Sequence, residues 1–367
     1  MKGPSLRLIA TCIFTTLCIS ACSDSSPVFH DSDSPQRLSE WNLFSLSTTE
    51  FSPVEASLVF RPTNQLFTDY AHKLRTLWLP QGEQATLADG EIDYPRGTIL
   101  SKTFYYPLNA NGELVKVADP GLKTLDLRKN VIIETRLLVK RTNGWTAFPY
   151  VWNDAQTEAF LRVAGASKNI SLKSDAGSLD FTYFVPNENQ CSACHVTEHP
   201  HGEMHPLGAI ASQLNARFSL DDTNSLLQTE ILQERNWLQS MPEIEETLSW
   251  MDESLDTDTR ALAYLNIHCG HCHNPNGAAD TSALLLDGSH DISINLGVCK
   301  PPVAAGGGAG DLLYGIVPGI PEESILIYRM NTTAPDEMMP ELGRSLIHNE
   351  GVELIHSWIS QLPGNCP

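Results

Sequence analysis

The chain has 367 residues, with 24 Lys and Arg against 44 Asp and Glu and a formal net charge of −20. That acidity excludes attraction to nucleic acid or anionic lipid by charge, and suits the steering of a basic-faced partner at low salt. The length suffices for two or three domains.

Residues 1–21 read as a lipoprotein signal peptide. Lys2 and Arg7 form a short basic region, Leu8 to Ile19 an apolar run too short to span a bilayer, and Ile19-Ser20-Ala21 presents small residues before Cys22. Cleavage there leaves Cys22 to carry lipid and anchor the protein. An ordinary signal peptide with another cut site is the plainer alternative. Ser23 after Cys22, rather than Asp, points to the outer membrane, facing the periplasm. Removal of the signal leaves 22 basic against 44 acidic residues, a net charge of −22. Residues 22–37, rich in Ser, Asp and Pro, read as a tether.

Residues 38–185 carry a mainly β pattern. Val131 to Lys140 alternates, with apolar residues or Thr at odd positions and Glu134, Arg136 and Lys140 among the even ones. Asn143-Gly144 is a hairpin signal, so this run pairs with Trp145 to Trp152. Further strands are expected over Thr98 to Tyr106 and Leu179 to Val185. Helices are expected over Leu66 to Leu77 and, capped by Asn153, over Asp154 to Val163. Phe104, Tyr105, Tyr106, Trp145, Tyr150 and Trp152 could line a binding surface, but at strand spacing they read as core.

Residues 186–255 form a first cofactor-binding region and 256–367 a second. Each contains Cys-x-x-Cys-His, the attachment sequence of a c-type haem: Cys191-Ser192-Ala193-Cys194-His195 and Cys269-Gly270-His271-Cys272-His273. The thiols bond the haem vinyl groups and the histidine becomes the proximal iron ligand. Structural zinc is the competing use of paired cysteines, but the spacing between the two copies and the histidine after each do not suit it. A thioredoxin-like pair would need a βαβ context that neither copy has. Two covalently attached haem c groups are therefore expected.

The sixth ligands are read from methionine loops. Met241-Pro242 is the candidate for the first haem, in competition with Met204, His199, His201 and His205. For the second, Met338-Met339-Pro340 places a thioether on a Pro-stiffened loop, and Met339 is preferred over Met338. A helix from Thr257 or Asp258 leads into Cys269, and Val352, Ile355, Trp358, Ile359 and Leu362 form an apolar stripe on a final helix. Gly306 to Gly310 lacks the Lys-Ser/Thr of a phosphate cradle and reads as a flexible loop.

Of nine cysteines, Cys12 and Cys18 leave with the signal, Cys22 takes lipid and four hold haem. Cys299 and Cys366 remain, and in an oxidising compartment they either pair or stay as free thiols.

Several stretches together resemble a family of exported bacterial di-haem c-type cytochromes, mostly of unknown role. They are Leu66 to Arg75, Tyr94 to Phe104, Ile133 to Leu138, Tyr150 to Thr157, Asn189-Gln190-Cys191, Ala263-Tyr264-Leu265, Cys269 to Pro275 and Met339 to Arg344. The resemblance covers most of the mature chain. It implies an exported or lipid-anchored protein, often accompanied by a parallel β-helix protein as a suspected partner, and it implies no substrate.

The resulting expectation is an α+β multidomain chain, with a β-rich N-terminal domain followed by α-helical, cytochrome c-like haem domains. Its function is expected to be periplasmic electron transfer with a redox partner protein, with no catalytic residue of its own. The alternative is a di-haem peroxidase-like or oxidase enzyme in which one haem iron is open. A third reading makes the β-rich domain a docking module.

Overall fold

The computed structural model describes residues 26–88, 91–218, 227–239, 244, 247–288, 291–303 and 305–367. The signal peptide, the lipid site at Cys22 and the candidate ligand Met241 lie outside the described residues. No helix among the described residues is long and apolar enough to cross a membrane.

An antiparallel sheet of six strands organises the chain, in the order Ala159–Leu161, Gly144–Trp152, Asn130–Arg141, Ile99–Pro107, His72–Trp78 and Leu58–Phe60. The hairpin at Asn143-Gly144 sets the register at one end, with Arg141 opposite Gly144 and Lys140 opposite Trp145. Gly144 has φ of 97°, a conformation that costs glycine little. A bulge between Ile132 and Glu134 interrupts the alternation of the long strand. It leaves Ile133 without a cross-strand partner and shifts the parity of the strand, so that Ile132 shares a core with Leu137 and Val139 while Ile133 packs in the other.

One face of the sheet packs Leu74, Ile99, Tyr105, Leu137, Phe148 and Tyr150 against Trp41, Leu43 and Phe51 from the N-terminal segment. Trp41 Nε1 donates to Tyr150 Oη at 2.6 Å, so the buried indole keeps a partner. On the opposite face, Phe104 and Tyr106 pack against Leu172 and Tyr183 of the Ala166–Ser174 and Gly177–Val185 hairpin. Leu77, Leu100, Leu138 and Ala147, on that same face, pack against Cys191, Leu214, Leu232 and Leu238. The aromatics singled out in the sequence are all buried.

Two expected helices are absent. Leu66 to Leu77 is a loop followed by the His72–Trp78 strand, which pairs on both edges, with Leu58–Phe60 and with Ile99–Pro107. Tertiary pairing overrides the local helical pattern there. Asn153 caps a turn instead of a helix: its side-chain oxygen accepts from Thr157 N at 2.9 Å, and the chain returns as the edge strand Ala159–Leu161.

The expectation of α-helical, cytochrome c-like haem domains is also corrected. Among the described residues, strand and bridge make up 28% and helix of all types 21%. Of the α-helices among the described residues, only Thr257–Leu265 and Asn349–Gln361 exceed eight residues. The physical reason lies in what the short helices bury. Glu188–His195, Ala211–Leu214 and Gln228–Glu234 place Cys191, Leu214 and Leu232 on the sheet rather than on one another. They cover a β face and form no helical domain of their own.

The C-terminal part has a separate core. Ala261, Tyr264 and Leu265 meet Leu354, Ile355, Trp358 and Ile359 across the two longer helices. Trp358 Nε1 donates to Asp258 Oδ1 at 2.9 Å. Gly351 lets the helices approach, because a Cβ there would run into the Tyr264 ring and hydroxyl. Cys299 and Cys366 form a disulfide with Cα atoms 5.2 Å apart, tying the chain end to the loop after the second Cys-x-x-Cys-His. The β-rich and C-terminal parts join at Asp69, whose buried Oδ1 accepts from Ser345 N at 2.7 Å and Leu346 N at 2.8 Å.

Candidate cofactor cavity

The first Cys-x-x-Cys-His lies on the helix Glu188–His195. Asn187 caps it, accepting from Gln190 N at 2.9 Å while Gln190 Oε1 accepts from Asn187 N at 3.0 Å. His195 sits at the last turn, its Nδ1 2.7 Å from the carbonyl oxygen of His205. Donation through Nδ1 leaves the Nε2 lone pair available to a metal. Burial pushes the His195 pKa down to about 4, so the ring is neutral at ordinary pH.

The helix Thr257–Leu265 widens into a π-type turn, Asn266–Gly270, that delivers the second copy. Gly270 is required by close approach: a Cβ would stand 2.8 Å from Asp287 Cα. His273 follows with its N bonded to Cys269 O at 2.9 Å. Its ring is buried, and burial lowers its pKa to about 4 against a raising hydrogen bond to the Leu284 backbone.

Both copies open onto one cavity of about 490 Å³. Cys191, Cys194, His195, Cys269, Cys272, His273 and Met339 all line it, together with side chains of the central sheet. The two copies touch, Cys272 Sγ lying 3.8 Å from Ala193 O. The cavity size falls within the range that encloses a cofactor.

Met339 reaches the cavity and Met338 does not. Met339 N donates to Arg329 O at 2.9 Å, and the buried Arg344 holds the same loop. Arg344 Nη2 donates to the carbonyls of Met339 at 3.0 Å, Thr332 at 2.9 Å and Arg329 at 3.2 Å. The competing ligands for the first site are elsewhere: His199, His201, Met204 and His205 do not line the cavity. Met204 instead packs beside the sheet core with its sulfur 3.6 Å from Ser192 Oγ.

Sequence reasoning assigned no role to several residues that line the cavity. His268 and His348 are among them. His268 uses both nitrogens, with Nδ1 2.9 Å from Tyr264 O and Nε2 accepting from Phe67 N at 3.1 Å, so neither is free to bind iron. The His348 ring stacks on Phe67 at 4.3 Å and meets the Tyr264 hydroxyl at 3.0 Å. Arg75, Lys102 and Arg136 also face the cavity; in sequence Lys102 and Arg136 read only as polar positions on strands, and Arg75 as a position on the expected helix Leu66 to Leu77.

The metal-binding, helical haem cytochrome expected from the motifs is corrected in two respects. Among the described residues, no group of three or more His, Cys, Asp or Glu is arranged to hold a metal ion. The frame around the motifs is β-rich with few helices. In the metal-free chain, burial pushes the Cys269 and Cys272 thiols up to about 12 and raises Cys191 and Cys194, so all four rest as neutral thiols.

What these residues do fit is a group that brings its own in-plane ligands. A porphyrin asks of the chain only thioether bonds, one imidazole and somewhere to seat its carboxylates. The neutral His195 with Nε2 unengaged among the described residues, the mostly apolar cavity wall and the buried Arg344 Nε, without a hydrogen-bond partner among the described residues, meet those demands. Compared with known families, curated proteins and solved structures, the chain finds no match.

Proposed function

We propose that the chain is an exported electron-transfer protein holding two covalently attached haems in the one cavity, on a β-rich rather than a helical frame. The observation that carries this reading is the meeting of two Cys-x-x-Cys-His sequences at a shared cavity, with Cys272 Sγ 3.8 Å from Ala193 O. Bound haem supplies reversible one-electron chemistry, and the protein sets its potential through axial ligands, hydrogen bonds and burial.

The chain's own residues have definable parts. Cys191, Cys194, Cys269 and Cys272 attach the groups, and His195 and His273 are the proximal ligands. Met339 is the distal ligand of the second site, held in place by Arg344. In keeping with the resemblance, the protein is anchored through Cys22 to the outer membrane, facing the periplasm. It exchanges electrons with a basic-faced redox protein, and a parallel β-helix protein is a candidate companion. The acidic surface favours such a partner by steering.

A second reading has one observation in its favour. Among the described residues, the nearby candidates His199, His201, Met204 and His205 do not line the cavity, while Met241 lies outside the described residues; an open first iron with small-molecule redox chemistry is the reading to test against transfer. Visible and low-temperature EPR spectra of the holoprotein, with and without cyanide, separate the two. Two low-spin signals unmoved by cyanide support transfer. A high-spin signal that shifts on addition supports the open-iron enzyme, and absence of covalent haem defeats both.

A further inference from the structure

The face of the central sheet that looks into the cavity carries three cations in one row. The register sets Arg75 opposite Lys102 and Lys102 opposite Arg136, on three neighbouring strands. Like charges directly opposite on a sheet repel. Strand spacing near 4.8 Å makes the row about 10 Å wide.

The neighbours compensate only part of this charge. Glu134, fully buried, accepts from Arg136 Nε at 2.8 Å and Nη2 at 2.6 Å, and from the Tyr183 hydroxyl at 2.6 Å. Arg75 Nη1 donates to the neutral amide oxygen of Gln65 at 2.7 Å. Asp119 is engaged by Arg61 at 3.7 Å and His72 at 3.8 Å. Lys102 makes no hydrogen bond or ion pair among the described residues. Its Nζ lies 5.2 Å from the centroid of the Phe104 ring. Lys73, one row along, adds a fourth cation 5.9 Å from the same ring, with its Nζ on Ala71 O. Burial and the flanking Arg75 and Arg136 outweigh the pull of Glu134 and drive the Lys102 pKa down to about 7, so the enclosed ammonium is under-compensated.

We propose that Arg75, Lys102 and Arg136 form a carboxylate seat in the cavity wall, taking a ligand that carries two carboxylates within about 10 Å. Guanidinium forks and an ammonium are the donors that paired carboxylates call for. Two sources share this chemistry. One is the propionate pair of a haem bonded at Cys191 and Cys194, which rests on the function proposed above. The other is a free dicarboxylate, which does not. In either case the β-rich part supplies a wall of the cofactor cavity and is more than a docking domain.

The test uses holoprotein carrying Lys102→Gln or Lys102→Arg, read by spectroelectrochemical titration and by calorimetry with succinate. If propionates occupy the seat, K102Q shifts the reduction equilibrium of one haem about tenfold toward the oxidised form, about 59 mV for one electron. K102R retains the wild-type potential, and succinate does not bind. If a free dicarboxylate occupies it, succinate binds the wild type and K102R, K102Q weakens that binding at least tenfold, and the potentials stay put. Unchanged potentials together with no succinate binding overturn the proposal. Should K102Q fail to fold, Arg75→Gln reads the other end of the row by the same two measurements. A chain found without covalent haem defeats the functional reading alone, since succinate binding still decides whether the seat exists.

Discussion

The sulfur of Cys272 lies 3.8 Å from the carbonyl oxygen of Ala193, although 79 residues of chain separate them. This contact brings the two attachment sequences edge to edge at one cavity, so groups bonded to Cys194 and Cys272 share a wall. On the proposed function, an electron passes between the sites within the protein.

Met339 and Met338 are expected to behave differently although they are adjacent. Met339→Ala removes the thioether that lines the cavity and should convert one six-coordinate haem to a high-spin or solvent-ligated form. Met338→Ala should leave the visible spectrum unchanged. Equal effects of the two substitutions would remove Met339 from the ligand set.

Arg344 acts on the same loop from behind. Arg344→Met deletes donation to the carbonyls of Met339, Thr332 and Arg329. Charged hydrogen bonds of this kind contribute about 1.5–3 kcal/mol each, partly offset here by the burial of the guanidinium. A loss of about 3 kcal/mol in denaturant unfolding is expected, with loosening of Met339 seen as ligand exchange. An unchanged unfolding midpoint would contradict this role.

Asp69 makes folding sensitive to pH. Burial raises its pKa to about 6, against the lowering effect of the Ser345 and Leu346 amides, Arg344 and Lys73. The buried Tyr106, whose hydroxyl donates to the Asp69 carbonyl, also faces it. Because the folded pKa exceeds the unfolded one, the folded chain binds the proton more tightly. Stability from this group is therefore present below pH 4 and declines as pH rises toward 6, by about 3 kcal/mol at most. Asp69→Asn keeps an oxygen to accept both amides and should flatten that slope. A slope that survives the substitution would assign it to other groups.

The disulfide should matter to the C-terminal part alone. Opening the loop closed by Cys299 and Cys366, which are 67 residues apart, releases chain entropy worth about 4 kcal/mol. Cys299→Ser with Cys366→Ser is expected to lower the unfolding transition of the Tyr264 and Trp358 core. No change in thermal denaturation would show that other contacts hold the chain end.

Gly351→Ala tests the helix crossing. The added methyl meets Tyr264, which also bonds His348. Overpacking of this sort costs about 1–3 kcal/mol. If calorimetry finds the variant stabilised through helix propensity instead, the two helices have room to part.

The parts of the fold and site that could be read in sequence are local ones. The two Cys-x-x-Cys-His copies, the Asn143-Gly144 hairpin and the Val352 to Leu362 stripe each declare themselves within a few residues. The meeting of the copies does not, because it depends on Glu188–His195 lying on a sheet face formed by distant strands. The cation row is hidden for the same reason. Arg75, Lys102 and Arg136 sit on separate strands, and only the register aligns them. The bulge at Ile133 also breaks the alternation from which facing is inferred. Leu66 to Leu77 misled because a strand paired on both edges can carry a helical-looking pattern.

The most direct measurement is the intact mass of the denatured, non-reduced chain, purified from a host that attaches haem to exported proteins. Two haem additions per chain, with Cys191, Cys194, Cys269 and Cys272 unreactive to thiol reagent, are the predicted result. A chain of unmodified mass with four reactive thiols would contradict the proposed function at its base.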